Sequence, residues 1–186
     1  MRKPCTLFIV SLALVLCAQA GWAEKAPQKI VDLANQTLAG FGTDPVIVEA
    51  VKAENGKGKT LEMIKEMDEK WKNTAGTDAA MKELMNNACA KRLNELFAGQ
   101  PFYAEAFVMD DKGANVCMTE KTSDYWQGDE PKFQKSFADG KGAVFVDDVE
   151  FDDSSQAYLV QVSVPVMDGD KAIGAITFGI DVDKAQ

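Results

Sequence analysis

Residues 156–182 read QAYLVQVSVPVMDGDKAIGAITFGIDV. Tyr158, Val160, Val162, Val164 and Val166 fall at every second position, with Leu159, Gln161, Ser163 and Pro165 between them. Successive side chains of a strand point to opposite faces, so this spacing predicts a strand from Gln156 to Met167 with one Val-rich face. Asp168-Gly169 follows as a two-residue hairpin turn, since both residue types accept the positive φ that such turns demand. Ala172 to Val182 then returns as the partner strand.

The same period extends upstream. Ala143 to Phe151 reads as a strand, joined to the first through the turn at Asp152 to Ser155. Ala104 to Asp110 and Asn115 to Thr119 form a hairpin across Asp110-Asp111-Lys112-Gly113. Between these pairs runs an irregular excursion, Glu120 to Gly142, longer than a compact domain usually leaves without a purpose.

Before Phe97 the period changes from 2 to 3.6. Ile30, Leu33, Ala34, Thr37, Leu38 and Phe41 predict a helix from about Pro27 to Ala39, stopped by Gly40 and Gly42. Asp44-Pro45 is an N-cap followed by proline at the first helical position, and that helix runs to about Asn55. Thr60 starts a third, with Leu61, Ile64, Met67 and Trp71 on one face. Thr77 or Asp78 caps a fourth, read as one long helix through Met81, Leu84, Met85, Ala88, Cys89, Leu93, Leu96 and Phe97. Helices grouped ahead of an antiparallel sheet imply an α+β fold, with this long helix covering the Val face.

Arg2 and Lys3, the apolar run Leu7 to Ala18, and small residues to Ala23 have the order of a secretory signal segment. Cleavage is expected near Ala23, with an uncleaved anchor as the alternative. The chain is thus expected to be periplasmic, divided into a signal peptide (1–23), a helical region (24–98) and a sheet domain (99–186). Without the segment the net charge falls from −9 to −11, which disfavours nucleic acid as a partner. The sequence has no histidine, which removes Ser-His-Asp and Cys-His catalysis and histidine-based zinc sites. Residues 55–59 lack a phosphate-loop pattern and the Asp147–Asp153 stretch lacks calcium-loop spacing, so no cofactor or metal is expected. Cys89 and Cys117 either pair as a disulfide, as an oxidising compartment allows, or stay as two buried thiols.

The ordered segments GAVFVDDV (142–149), YLVQVSVPV (158–166) and IGAITFGID (173–181), preceded by TSDYWQGDE (122–130), resemble the second half of extracellular Cache (PDC) sensor domains. The resemblance covers about Phe97 to Asp183. It implies a PAS-like five-stranded antiparallel sheet packed on a long N-terminal helix. It also implies a pocket between sheet and excursion for a small organic ligand: an amine, an amino acid or a carboxylate. No nucleophile–base pair is recognisable, so the chain is expected not to be an enzyme; occupancy is expected to pass to a separate signalling partner such as a membrane receptor, and sensors of this class often form homodimers. Family members that bind amino acids usually carry Arg before Trp-Tyr in the excursion, and an Asp late in the last strand. Here Tyr125-Trp126 lacks the Arg, Lys121 and Lys132 are the nearby cations, and Gly179 stands where the Asp would be, with Asp181 two residues on.

The expected ligand residues are Tyr125, Trp126, Asp129, Lys132, Asp148, Gln161, Ser163 and Asp181. Aromatic walls with polar tips suit a pocket, and a polar pair such as Gln161 and Ser163 within a Val-rich strand needs hydrogen-bond partners. The competing reading is a ligand-free interaction scaffold, in which Tyr125 and Trp126 fill the space themselves.

Overall fold

A computed structural model describes residues 24–153 and 155–185. The expected signal segment and its cleavage point lie outside these residues. Five antiparallel strands form one sheet in the order β2-β1-β5-β4-β3. They are β1 (Tyr103–Met109), β2 (Asn115–Met118), β3 (Phe145–Asp152), β4 (Ala157–Asp168) and β5 (Lys171–Asp181). Six helices accompany them. The first, α1, runs from Gln28–Leu33 through a π-helical stretch, Ala34–Leu38, to Ala39–Phe41. Then come α2 (Pro45–Asn55), α3 (Leu61–Lys72), α4 (Ala79–Asn86), α5 (Ala88–Phe97) and α6 (Pro131–Phe137). The fold is α+β and PAS-like.

Alternation sends the two faces of the sheet to two cores. Val160, Val162, Val164 and Val166 join Ala106, Val108, Ile176, Phe178 and Ile180 against α1, α2 and α5. Ile30, Ala34, Leu38, Ile47, Val51, Ala90 and Leu93 supply the helical side. On the opposite face Phe107, Met109, Met118 and Ala175 meet Ile64, Trp71, Met81, Tyr125 and Phe133.

Two expectations need correction. The long helix ending at Phe97 is two helices, and three helices share the Val face. The break falls at Asn87, whose ψ of 175° leaves the helical region. Its Oδ1 accepts from the Ala90 amide at 2.9 Å, while Nδ2 donates to the Val116 carbonyl at 3.0 Å. Asparagine is a strong N-cap, so it ends α4 and starts α5 on a new heading. α4 then places Met81 in the second core, while α5 places Cys89, Ala90 and Leu93 in the first. The excursion is also not irregular throughout: Pro131, after an extended Glu130, starts α6. Asn87→Ala is expected to lower stability by about 1–2 kcal/mol. Asn87→Ser keeps a capping oxygen but loses the bond to Val116, so its urea midpoint should fall between wild type and Asn87→Ala.

Cys89 and Cys117 are bonded, S–S 2.09 Å, tying α5 to the edge strand β2. Tyr158 lies in phase with the Val row but beyond the helices, 55% exposed beside Phe151.

Candidate functional site

The site lies on the sheet face away from α1. Register sets one row of residues across four strands. Glu105 of β1 faces Gly179 of β5, and Gly179 faces Gln161 of β4. In β3 the pairing shifts between Val146 and Val149, so Asp147 and Asp148 together oppose Gln161 in a β-bulge. Gly179 matters because it has no Cβ: one built there would lie 2.8 Å from Glu105 Cγ. The Glu105 side chain therefore lies across the sheet in the space that glycine leaves.

Above this row is a cavity of about 460 Å³. Glu105, Phe107 and Gln161 form its floor, Thr122, Ser123 and Gln127 come from the excursion, and Lys121, Lys132, Asp152 and Asp153 complete the rim. Its size falls in the range of small-molecule sites. A smaller space of about 90 Å³ adjoins it through Asp152 and Gln161 and is walled by Asp147, Asp148, Glu150, Phe151 and Leu159.

One acceptor in the main cavity lacks a donor, and a second is buried in its wall. Burial pushes the Glu105 carboxyl above the usual carboxylate range; Lys132 opposes that, while Asp152 and Glu120 reinforce it. Among the described residues no hydrogen bond or ion pair reaches the Glu105 carboxyl. Gln127 is buried; its Nε2 donates to the Asp124 carbonyl at 2.9 Å, and its Oε1 has no partner. The cations are already engaged. Lys132 pairs with Glu130 at 2.8 Å and lies 5.3 Å from the centre of the Phe107 ring. The Lys121 ammonium donates to the Thr74 and Gly76 carbonyls at 2.8 and 2.9 Å.

The excursion is bolted to α3. Asp68, buried, accepts at Oδ1 from the Tyr125 and Trp126 amides at 2.9 and 3.1 Å. The Trp71 indole donates to the Thr122 carbonyl at 2.8 Å, and Lys72 bridges Asp68 and Asp124 at 2.7 and 3.2 Å. On the far side Gln127 N donates to the Gly113 carbonyl and Asn115 N to that of Tyr125. Gly113, with φ at +83°, sits where a Cβ would meet the Gly128 Cα at 2.5 Å, so the hairpin and the excursion touch backbone to backbone.

Of the residues expected from sequence, Lys132 and Gln161 line the main cavity and Asp148 the adjoining one. Tyr125 and Trp126 do not. The Tyr125 ring packs tilted against Trp71 in the second core, and its hydroxyl accepts from Lys59 at 2.8 Å. Burial raises its pKa, with Lys59 opposing. The Trp126 indole donates to the Lys112 carbonyl at 2.8 Å, with Lys65 over its ring. Backbone pairing with α3 and the hairpin turns both rings outward from the cavity. Asp129 is exposed and outside its lining. Ser163 is buried against Thr177, Oγ to Oγ1 at 2.8 Å. Asp181 closes the last turn, accepting from the Asp183 and Lys184 amides and pairing with Lys184 at 2.7 Å. These bonds hold its carboxyl below the usual range although burial pushes it up.

Sequence reasoning missed Glu105, Phe107, Thr122, Ser123, Gln127, Asp152 and Asp153. Glu105 carried a signal: it is an acid in phase with Phe107 and Met109, on a face that the strand buries. Among the described residues no group of three Cys, Asp or Glu side chains could hold a metal ion.

No protein-family model matches the chain, and no curated protein matches it. Solved structures do. The V. cholerae histidine kinase DctB sensor domain is 13% identical at a TM-score of 0.49, covering 85% of this chain and 52% of its own. The ligand-binding domain of the Campylobacter jejuni chemoreceptor Tlp3, in complex with 4-methylisoleucine, is 15% identical at 0.43, covering 87% and 63%. That of the Pseudomonas aeruginosa amino acid chemoreceptor PctC, in complex with GABA, is 10% identical at 0.42, covering 83% and 63%. The chain thus spans between about half and two thirds of these domains. Its own sheet order, with the long crossover between β2 and β3, is the layout its sequence resembles. The fold is α+β with a PAS-like sheet.

Proposed function

We propose that the chain is an exported sensor module that binds a small organic molecule between the sheet and segment 121–127 and passes occupancy to a separate signalling partner. The observation that carries this reading is the polar cavity of about 460 Å³, floored by Glu105 and Gln161, that Tyr125 and Trp126 leave open. A ligand-free scaffold would use those rings to fill it. Export accords with the charged and apolar start of the sequence and with the Cys89–Cys117 bond, and no described helix is long and apolar enough to cross a membrane. Relay is supported by α3, which holds the excursion through Asp68, Trp71 and Lys72 and so senses any shift of the cavity roof. A membrane receptor is the fitting partner for an exported module. The role is binding, not catalysis, because the cavity wall holds carboxylates, amides, hydroxyls and lysines but no recognisable nucleophile–base pair.

Thermal-shift screening of residues 24–186 against amines, amino acids and carboxylates tests the reading. A binder at 100 times its dissociation constant should add about 2.7 kcal/mol. Ser123 is exposed at the cavity rim, so Ser123→Trp should fill the space and remove the shift whatever the ligand's chemistry. A shift that survives Ser123→Trp would place binding elsewhere, and no shift across the panels would end the proposal.

A further inference from the structure

We propose that the ligand is a linear diamine or polyamine laid across the sheet, with one ammonium on Glu105 and another at Asp147 and Asp148. The inference rests on the binding function proposed above and names its ligand class.

The geometry begins with the row Glu105, Gly179, Gln161, Asp147–Asp148. Its ends are three strand spacings apart, about 14 Å between backbones. The Glu105 side chain lies over Gly179, and the remaining gap to Asp147 and Asp148 is too wide for a single ammonium and suits two joined by a chain. Between the ends the row is uncharged: Gly179 offers no side chain and Gln161 an amide. The two cavities share Asp152 and Gln161 as walls, so they adjoin along the row. Phe107 lines the inner cavity and Leu159 and Phe151 the outer one, giving methylene groups apolar surface at both.

The polar groups call for donors. The Glu105 carboxylate lines the main cavity and has no partner among the described residues. An ammonium carries three donors and can meet the Glu105 carboxylate. The outer end already receives one: Lys25 Nζ lies 2.8 and 2.9 Å from the Asp148 oxygens. That lysine side chain is 85% exposed, and such a surface pair is weak enough to exchange with a ligand. Asp147 Oδ1 accepts the Asp148 amide at 2.9 Å, leaving Oδ2 for a second donor. A carboxylate ligand fares badly by comparison. It would face Glu105, Asp152 and Asp153, while Lys132 is paired and Lys121 is turned to carbonyls.

Calorimetric titration of residues 24–186 with butylamine, diaminopropane, putrescine, cadaverine and spermidine, beside leucine and succinate, tests this. Affinity is expected to rise with chain length, with spermidine or cadaverine at least tenfold tighter than butylamine. Glu105→Gln should weaken every amine at least a hundredfold. Its apo melting point at neutral pH should rise, because the folded carboxyl titrates above the unfolded one and its stabilising effect is lost as pH climbs through that value. That rise would also show that the variant folds. Asp148→Asn should cut the long amines about tenfold and leave butylamine unchanged, and Lys25→Ala should tighten the long amines severalfold. Equal affinity along the series, or binding of leucine or succinate only, would overturn the polyamine assignment and leave the sensor reading standing. Failure of all seven compounds, and of the wider panels, would remove both.

Discussion

Reduction of the Cys89–Cys117 bond is expected to lower the unfolding free energy by about 3–4 kcal/mol. The bond closes a loop with a sequence separation of 28, and cross-links of that span restrict the unfolded chain by about this amount in the chain-entropy treatment. It also reinforces a seam where Asn87, the N-cap of α5, already bonds the Val116 carbonyl of β2. β2 is a four-residue edge strand that pairs with β1 alone, and α5 sits on the Val face. Both sulfurs are buried, so little reductant reaches them in the folded state and reduction should be slow without denaturant. Urea unfolding with and without reductant measures the difference, and a Cys89→Ala/Cys117→Ala double variant should match the reduced protein plus the cost of two lost sulfur contacts. An unchanged midpoint would mean the bond constrains nothing. Because Asn115 of β2 donates to the Tyr125 carbonyl, a fraying β2 loosens the cavity roof, and ligand affinity should fall with the midpoint.

The layers of the molecule were legible in the sequence for a simple reason. The Val160–Val166 row and the turn at Asp168-Gly169 are local patterns, and the strands they specify lie within a residue or two of where the pattern put them. Cap chemistry was equally local, with Asp44 and Thr60 accepting from the first-turn amides of α2 and α3. Asn87 escaped because the apolar stripe continues through it; only its side-chain bonds mark the break. The cavity was far less legible. Its floor depends on register, which brings Glu105, Gly179 and Gln161 together from three strands, and on a bulge at Asp147 and Asp148. Its roof depends on Asp68, 57 residues from the Tyr125 amide it holds. Tyr125-Trp126 was the most conspicuous dipeptide of the excursion, and its rings serve as anchors. The small polar residues beside it, Thr122, Ser123 and Gln127, face the space.

Asp68→Ala is therefore expected to have the largest effect of any single substitution, about 3–5 kcal/mol of stability. The carboxylate is buried, accepts two backbone amides and pairs with Lys72, so its removal strands two donors and a lysine at once. Asp68→Asn keeps an acceptor at Oδ1 and loses only the ion pair, so it should cost about 1–2 kcal/mol. Hydrogen exchange at the Tyr125 and Trp126 amides should quicken greatly in the alanine variant and little in the asparagine one. Asp68 touches none of the cavity floor, so any loss of affinity in the folded alanine variant, measured below its lowered midpoint, reads the mechanical link between α3 and the roof. A tenfold fall would fit a helix that holds the binding loop in place and moves with it. Full affinity alongside fast amide exchange would mean the ligand orders the loop by itself, and α3 would then have no part in carrying the signal.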